Sequence, residues 1–236
     1  MGQKINPNSY RLGIVRNWPV RWFMKGGYPK FLEEDEAIRK VIREKIGLAG
    51  ISSIEIERTQ GHLRVFIKAA RPGLIIGRGG KGMDDLNKAI ADAVRKIRKS
   101  KNPIPMSVNA EELKRSEISA AYTGQQIAWD IEKRMPFRRT MKKYLEQIMQ
   151  NREVKGAKIM MSGRLDGNEI ARREFLAKGA LPLQTLRADI DYARSTAFTT
   201  YGTVGIRVWI YKGEIFNKDK AAADKARETR NARTQR

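Results

Sequence analysis

The chain has 236 residues, no cysteine and one histidine, and its 48 Lys+Arg against 26 Asp+Glu give a net charge of +22. Disulfide scaffolds, zinc ribbons and thiol nucleophiles are thereby excluded, and a lone His62 argues against a histidine-built metal or triad site. A pI near 10.4 makes binding to a polyanion by counterion release the first expectation, with nucleic acid as the partner. No apolar run approaches the roughly 18 residues of a membrane span, so no membrane partner is expected. No signal peptide opens the chain, so a cytoplasmic location is expected. The length predicts one large or two ordinary domains, with enough apolar content for real cores.

Residues 1–32 lack periodicity and carry no acidic side chain, and Pro7, Pro19, Gly26, Gly27 and Pro29 break any helix. Trp18, Trp22, Phe23 and Tyr28 lie there among Lys4, Arg11, Arg16, Arg21, Lys25 and Lys30. Two readings of this basic arm stand: rings stacked on bases along a polyanion, or rings tucked onto the domain's own core. Ile38, Val41, Ile42 and Ile46 then repeat at helical spacing behind Glu33 to Glu36, and Gly47 and Gly50 end the helix. Ile54 and Ile56 alternate with Glu55 and Glu57 as in a half-buried strand. Gln60-Gly61 predicts a tight turn, and Leu63, Val65, Ile67 and Ala69 form a second strand's inner face. Arg71-Pro72-Gly73 interrupts the pattern before a short apolar piece, Leu74-Ile75-Ile76, and a glycine loop. Met83, Leu86, Ile90, Ala93, Val94 and Ile97 mark a long amphipathic helix. Residues 104–110 predict a third strand, at an edge because of Pro105.

The second half opens with helices over 116–134 and 137–150, separated by Pro136. Met160, then Leu186, Ala188, Ile190 and Tyr192, then Val204, Ile206, Val208 and Ile210 predict three strands. Residues 195–202 are expected to connect the last two as a loop, and 168–178 to form another helix. Residues 221–236 are Ala-, Lys- and Arg-rich without an apolar stripe, which suits a solvated or RNA-ordered tail.

Gly77-x-Gly79-x-x-Gly82 matches the dinucleotide fingerprint in form, but Pro72-Gly73 interrupts the strand that should precede it, and Lys99–Lys101 occupy the place of the ribose-binding acid. The Walker pattern also fails, because Gly82 follows Lys81 where Ser or Thr is required. Read instead as G-x-x-G, Gly77-Arg78-Gly79-Gly80 lets an RNA backbone approach closely. The following helix offers free N–H groups, and Arg78 and Lys81 add charge for phosphates. A plain structural turn is the other reading of the same four residues. The order helix, strand, strand, short helix, G-x-x-G, helix, strand resembles the type II K-homology (KH) RNA-binding domain, whose loop clamps about four nucleotides by their backbone.

In residues 137–150, Phe137, Met141, Tyr144, Leu145, Ile148 and Met149 fall on one side of a helical projection. Arg138, Arg139, Lys142 and Lys143 fall on an adjoining and largely opposite arc, with no carboxylate between Glu132 and Glu146. Such a run is commonly a solvated face. Here the i,i+4 like-charge pairs Arg138/Lys142 and Arg139/Lys143 repel by a few tenths of a kcal/mol each, a cost that a polyanion turns into affinity. The helix is therefore expected to line a path for single-stranded RNA.

The block Ser162-Gly163-Arg164-Leu165-Asp166-Gly167-Asn168-Glu169-Ile170-Ala171-Arg172 resembles a signature of the bacterial small-subunit ribosomal S-three family. So do Leu186 to Tyr192, Thr200-Tyr201-Gly202, Gly205 to Glu214, Gly2 to Pro7, Arg11 to Ile14 and Ala70-Arg71-Pro72-Gly73. The resemblance covers nearly all of 1–215 and departs in the tail and at Gly79, where a Lys often stands. It implies an α+β fold with a basic arm (1–32), a type II KH domain (33–111), a C-terminal α+β domain (112–215) with a three-stranded, mostly antiparallel sheet packed on helices, and a basic tail (216–236). It implies a structural protein of the small ribosomal subunit, without cofactor or catalytic site. Such a protein binds small-subunit rRNA in the head and lines the mRNA entry channel. The implied neighbours are the S-ten and S-fourteen proteins in the head and the S-four and S-five proteins near the entry. Residues matching Arg138, Arg139 and Lys142 are implied to help unwind structured mRNA passively.

Lys4, Arg11, Arg16, Arg164 and Arg172 are candidate contacts to rRNA or a protein neighbour. For Arg164, Arg172 and Arg173, ion pairs with Asp166, Glu169 and Glu174 are the competing reading. Asp189 and Asp191 share a strand face, which suits a metal or acid–base chemistry, but Arg187 and Arg194 beside them favour structural pairing. Two other function classes stand as alternatives: a nucleic-acid-processing enzyme, disfavoured by the absence of Cys and of an isolated carboxylate cluster, and a free-standing KH regulator of mRNA.

Overall fold

A computed structural model describes residues 3–22, 27–59, 62–98, 105–113 and 118–216. Phe23, Lys25, the Gln60-Gly61 turn, Lys99–Lys101 and residues 217–236 of the expected tail lie outside the described residues. Two compact units are present. One comprises residues 18–129; the other combines the first 17 residues with everything from 130 onward. The described residues of the expected N-terminal arm are therefore divided between the two folded bodies.

In the first unit, helix α2 (Tyr28–Ile46) is followed by strands β2 (Ile51–Thr59) and β3 (His62–Ala69), short helix α3 (Pro72–Ile76), helix α4 (Lys81–Arg98) and strand β4 (Met106–Glu112). α2 begins earlier than Glu33, because Pro29 sits in its first turn, where a missing N–H costs nothing. A two-residue strand, β1 (Val20–Arg21), completes the sheet, whose order is β1-β2-β3-β4, with β2 and β3 antiparallel, β4 parallel to β3 at one edge and β1 parallel to β2 at the other. Ile54 faces Ile67 and Ile56 faces Val65 across β2 and β3. The apolar stripes of α2 (Ile38, Ile42, Ile46) and α4 (Leu86, Ile90, Val94) close over that face in one core. Fully burying each such side chain contributes about 1.5–3 kcal/mol.

Beside this core, Glu34 and Asp35 are buried and share Arg58, while Arg98 donates Nε to Glu34 at 2.5 Å. The indole of Trp22 donates to Asp35 at 2.9 Å and its ring lies 4.9 Å from Tyr28 and 5.6 Å from Phe31. Trp22 and Phe31 are thus half-buried beside the core, whereas Trp18 and Tyr28 stay exposed.

The second unit carries α1 (Pro7–Tyr10), helix α6 (Phe137–Met149) and strands β5 (Gly156–Gly163), β6 (Arg172–Gly179), β7 (Ala188–Thr199) and β8 (Gly202–Glu214). Helix α5 (Ala120–Glu132) crosses the division between the units along the chain. The second sheet is wholly antiparallel, in the order β6-β5-β8-β7. It has four strands where three are expected, because 172–179 form a strand and not a helix. Ala, Leu, Lys and Glu give that stretch helical propensity, yet Arg172, Glu174 and Leu176 alternate inward against exposed Arg173, Phe175 and Ala177, and β5 supplies the pairing partner. The expected 195–202 loop is also mostly strand: the β-branched and aromatic run to Thr199 keeps pairing until only Thr200 and Tyr201 turn the hairpin.

Candidate nucleic-acid interface

In the first unit, the glycine loop lies between α3 and α4. Gly77, Gly79 and Gly80 all have left-handed φ, at 68°, 62° and 80°. A Cβ on Gly79 or Gly80 would meet nothing within 4 Å, so glycine there supplies backbone conformation and a bare surface. At Gly82 the reason differs: a Cβ would stand 2.5 Å from the Ile75 carbonyl oxygen, so only glycine lets α4 begin this close to α3. Arg78 and Lys81 are exposed, with Leu74 and Ile76 exposed beside them. The loop therefore brings together bare backbone, two cations and two apolar side chains.

In the second unit, α6 starts directly after Pro136 and buries Phe137, Thr140, Met141, Tyr144, Leu145 and Ile148, packing over β5 and β6. That face fixes the opposite one. Arg138, Arg139, Lys142 and Lys143 are all exposed and line a groove of about 570 Å³ that β6 completes with Glu174, Phe175 and Leu176. Two of the four cations have carboxylate partners that the local sequence does not show. Arg138 donates from both Nε and Nη2 to Glu174 at 3.2 Å, and Lys143 lies 3.6 Å from Asp130. Among the described residues no carboxylate pairs with Arg139 or Lys142. The hydrogen bond from Arg138 holds the Glu174 carboxyl below the usual glutamate range, with a second bond from Arg172 Nε at 2.8 Å. Arg138 and Arg139 also occupy the first turn of α6, where the helix dipole disfavours cations and favours anions.

The remaining candidates separate by burial. Lys4 is exposed. Arg11 is wholly buried: Nε donates to the Ala188 carbonyl at 2.7 Å, Nη1 to Pro7 at 3.1 Å, and Nη2 to Leu183 and Thr185 at 2.9 Å each. Its expected contact to RNA or a neighbour is corrected, since the side chain is wholly buried and each of its three nitrogens donates to the chain's own backbone. Arg16 is half-buried, 2.9 Å from Asp191 and 3.9 Å from Asp189. The aspartate pair is thus structural, with Arg16 as a partner shared by both carboxylates. Arg164 donates to the Asn168 and Tyr201 carbonyls at 3.0 and 3.3 Å, which closes the 165–167 turn in place of the expected carboxylate pairs. Arg172 shares Glu174 with Arg138. The expected Arg172–Glu174 ion pair is present, but sequence reasoning missed that Glu174 also reaches Arg138 in the groove; the period-two alternation from Arg172 to Leu176 is the signal that would have found it.

Among the described residues, no group of three or more His, Asp or Glu could hold a metal, and no helix is long and apolar enough to cross a membrane.

The family model described as KH domain matches residues 37–118, and that described as Ribosomal protein S3, C-terminal domain, matches 127–210. The small ribosomal subunit protein uS3 of Endomicrobium trichonymphae is 46% identical over 92% of this chain and 90% of its own length. The chain belongs to the bacterial uS3 family. The uS3 of Desulfitobacterium hafniense is 43% identical over 94% of this chain and 97% of its own, and that of Lactobacillus acidophilus 42% over 96% and 98%. As a uS3 family member the chain combines a KH domain with the family's C-terminal domain, which accounts for the α+β composition of both units.

Proposed function

We propose that this uS3 family member is a non-catalytic, RNA-binding structural component of the small ribosomal subunit in the cytoplasm. It binds small-subunit rRNA in the head and lines the mRNA entry channel, where Arg138, Arg139, Lys142 and Lys143 hold separated strands while translocation supplies the work. The observation that carries this assignment is the α6 groove: a helix anchored by six buried side chains presents four cations, two of them without a carboxylate partner among the described residues. Such a surface gains free energy when phosphates replace condensed counterions.

The proposed domains are a KH domain over 33–111 and a C-terminal domain over 112–215, with a basic arm (1–32) and a basic tail (216–236) flanking them. The KH loop, Gly77, Arg78, Gly79, Gly80 and Lys81, is proposed as a second RNA contact, supported by its bare left-handed backbone. Lys4, Arg16, Arg164 and Arg172 are proposed as peripheral contacts to rRNA or to neighbouring proteins. The neighbours are proposed to be the S-ten and S-fourteen proteins in the head and the S-four and S-five proteins near the entry.

Small subunits reconstituted with the R139Q/K142Q double variant test the mRNA role. Translation through a message with a stable hairpin is expected to slow relative to an unstructured message of equal length. Equal rates on the two messages would overturn it.

A further inference from the structure

The second sheet has a face that, apart from Phe175 at the edge of the α6 groove, none of the sites above uses. Its strand register sets Met160 opposite both Phe175 and Arg207, Arg207 opposite Arg194, Lys158 opposite Trp209, and Trp209 opposite Tyr192. Because side chains alternate across a strand, all of these share one face, opposite to the buried Ile159, Val208 and Ile206. The aromatic residues form a connected row with a cation inside it. Lys158 Nζ lies 4.4 Å from the Phe175 ring centroid and 5.8 Å from that of Trp209, and the Tyr192 and Trp209 rings are 5.3 Å apart. Phe175 is 59% exposed, which nothing in the packing of this unit requires of a phenylalanine.

The charge on this face has one sign. Arg173, set opposite Ser162, adds to Lys158, Arg194 and Arg207, and among the described residues no carboxylate forms an ion pair with any of the four. Glu174 points to the other face, where Arg138 and Arg172 hold it. An apolar protein partner would leave four uncompensated cations at its interface. A polyanion with planar, stackable groups satisfies both the charges and the rings.

We propose that this face, beyond the end where Leu181 and Leu183 pack with Trp209, is a further RNA-binding surface that takes a single-stranded stretch, with bases stacked on Phe175 and the half-buried Trp209–Tyr192 pair and phosphates on Lys158, Arg173, Arg194 and Arg207. Four-stranded sheets with helices on one face and aromatics on the other read single strands in this way. The proposal rests on the RNA-binding function above; its cations are separate from those of α6, and because Phe175 also borders the α6 groove, the arginine pair Arg194 and Arg207 distinguishes the two surfaces.

The test uses the full chain and a short fluorescein-labelled oligouridylate, measured by anisotropy over a salt series. Phe175→Ala is expected to weaken binding roughly tenfold, since each stacked base contributes about that factor or more. R194Q/R207Q is expected to lower the salt slope by about 1.4, at about 0.7 for each single-strand phosphate contact. Phe175 and the two arginines are not in the unit's core, and circular dichroism checks that each variant folds. Ultraviolet crosslinking followed by peptide mapping is expected to place uridine adducts on Phe175 or Trp209. If both variants bind as wild type while R139Q/K142Q weakens binding, the face is overturned and the α6 assignment stands. If the wild-type chain ignores the oligouridylate in dilute buffer, both fall together.

Discussion

A guanidinium carries five N–H donors in a fixed fork, and whether it serves RNA or the fold depends on which acceptors reach it. For Arg11 the acceptors are carbonyls of Pro7, Pro182, Leu183, Thr185 and Ala188, and burial pushes its pKa down. The N-terminal segment is thereby fixed to β7 and to the turn that precedes it. A lysine cannot reproduce the fork, so Arg11→Lys is expected to destabilise the second unit by roughly 3 kcal/mol, the scale of one charged hydrogen bond lost with others strained. Urea unfolding monitors this. Arg11, Arg16 and Arg21 look alike in an acid-free stretch of sequence, because the carbonyls and carboxylates that bury one and pair the others lie up to 177 residues away.

Glu34 presents the same problem for an anion. Burial pushes its pKa up, but the hydrogen bonds from Arg98 and Arg58 outweigh that and hold it below the usual glutamate range. A depressed folded-state value means the stabilisation is full above the ordinary glutamate value of about 4.3 and is lost as pH falls through the folded one. Glu34→Gln is expected to flatten the acid limb of the stability–pH curve while lowering stability at neutral pH. A mutant curve parallel to wild type down the acid limb would contradict the assignment.

Secondary-structure elements with a single strong period were legible in advance. The α2 and α4 stripes, the β2–β3 alternation and the two faces of α6 each depend on residues within one element, so periodicity alone locates them. β6 was not, because its propensity is helical and its strand state is imposed by pairing with β5. The consequence reaches the functional site: with 168–178 read as a helix, nothing places Glu174 against Arg138 in the α6 groove.

Elements also explain two glycines at the α3–α4 junction differently. Gly82→Ala forces a Cβ against the Ile75 and Ile76 carbonyls, so the α3–α4 junction must shift, at an expected cost of about 1–3 kcal/mol of overpacking. Gly79→Ala meets open space and carries only the left-handed backbone penalty of about 1–2 kcal/mol. Thermal unfolding of the two variants should show Gly82→Ala as the less stable.

The excess of cations is held by two units whose cores are independent of it. The first buries its apolar face between α2, α4 and the mixed sheet, and the second between α6 and the antiparallel sheet. Because the apolar faces supply the folding free energy, the opposite faces are free to carry charge that is unfavourable without a partner, as the first turn of α6 does. The net charge of +22 announces a polyanion from the sequence alone, while the cations that have no internal partner emerge only once the ion pairs are known.

The most direct measurement is the salt dependence of single-stranded RNA binding by the intact chain and by R139Q/K142Q. If the α6 cations contact phosphates, log Kobs falls linearly with log salt for the wild type, and the double variant loses about 1.4 from the magnitude of that slope at about 0.7 per contact. A slope unchanged by the two substitutions, with both proteins folded, would contradict the proposed role of the α6 groove.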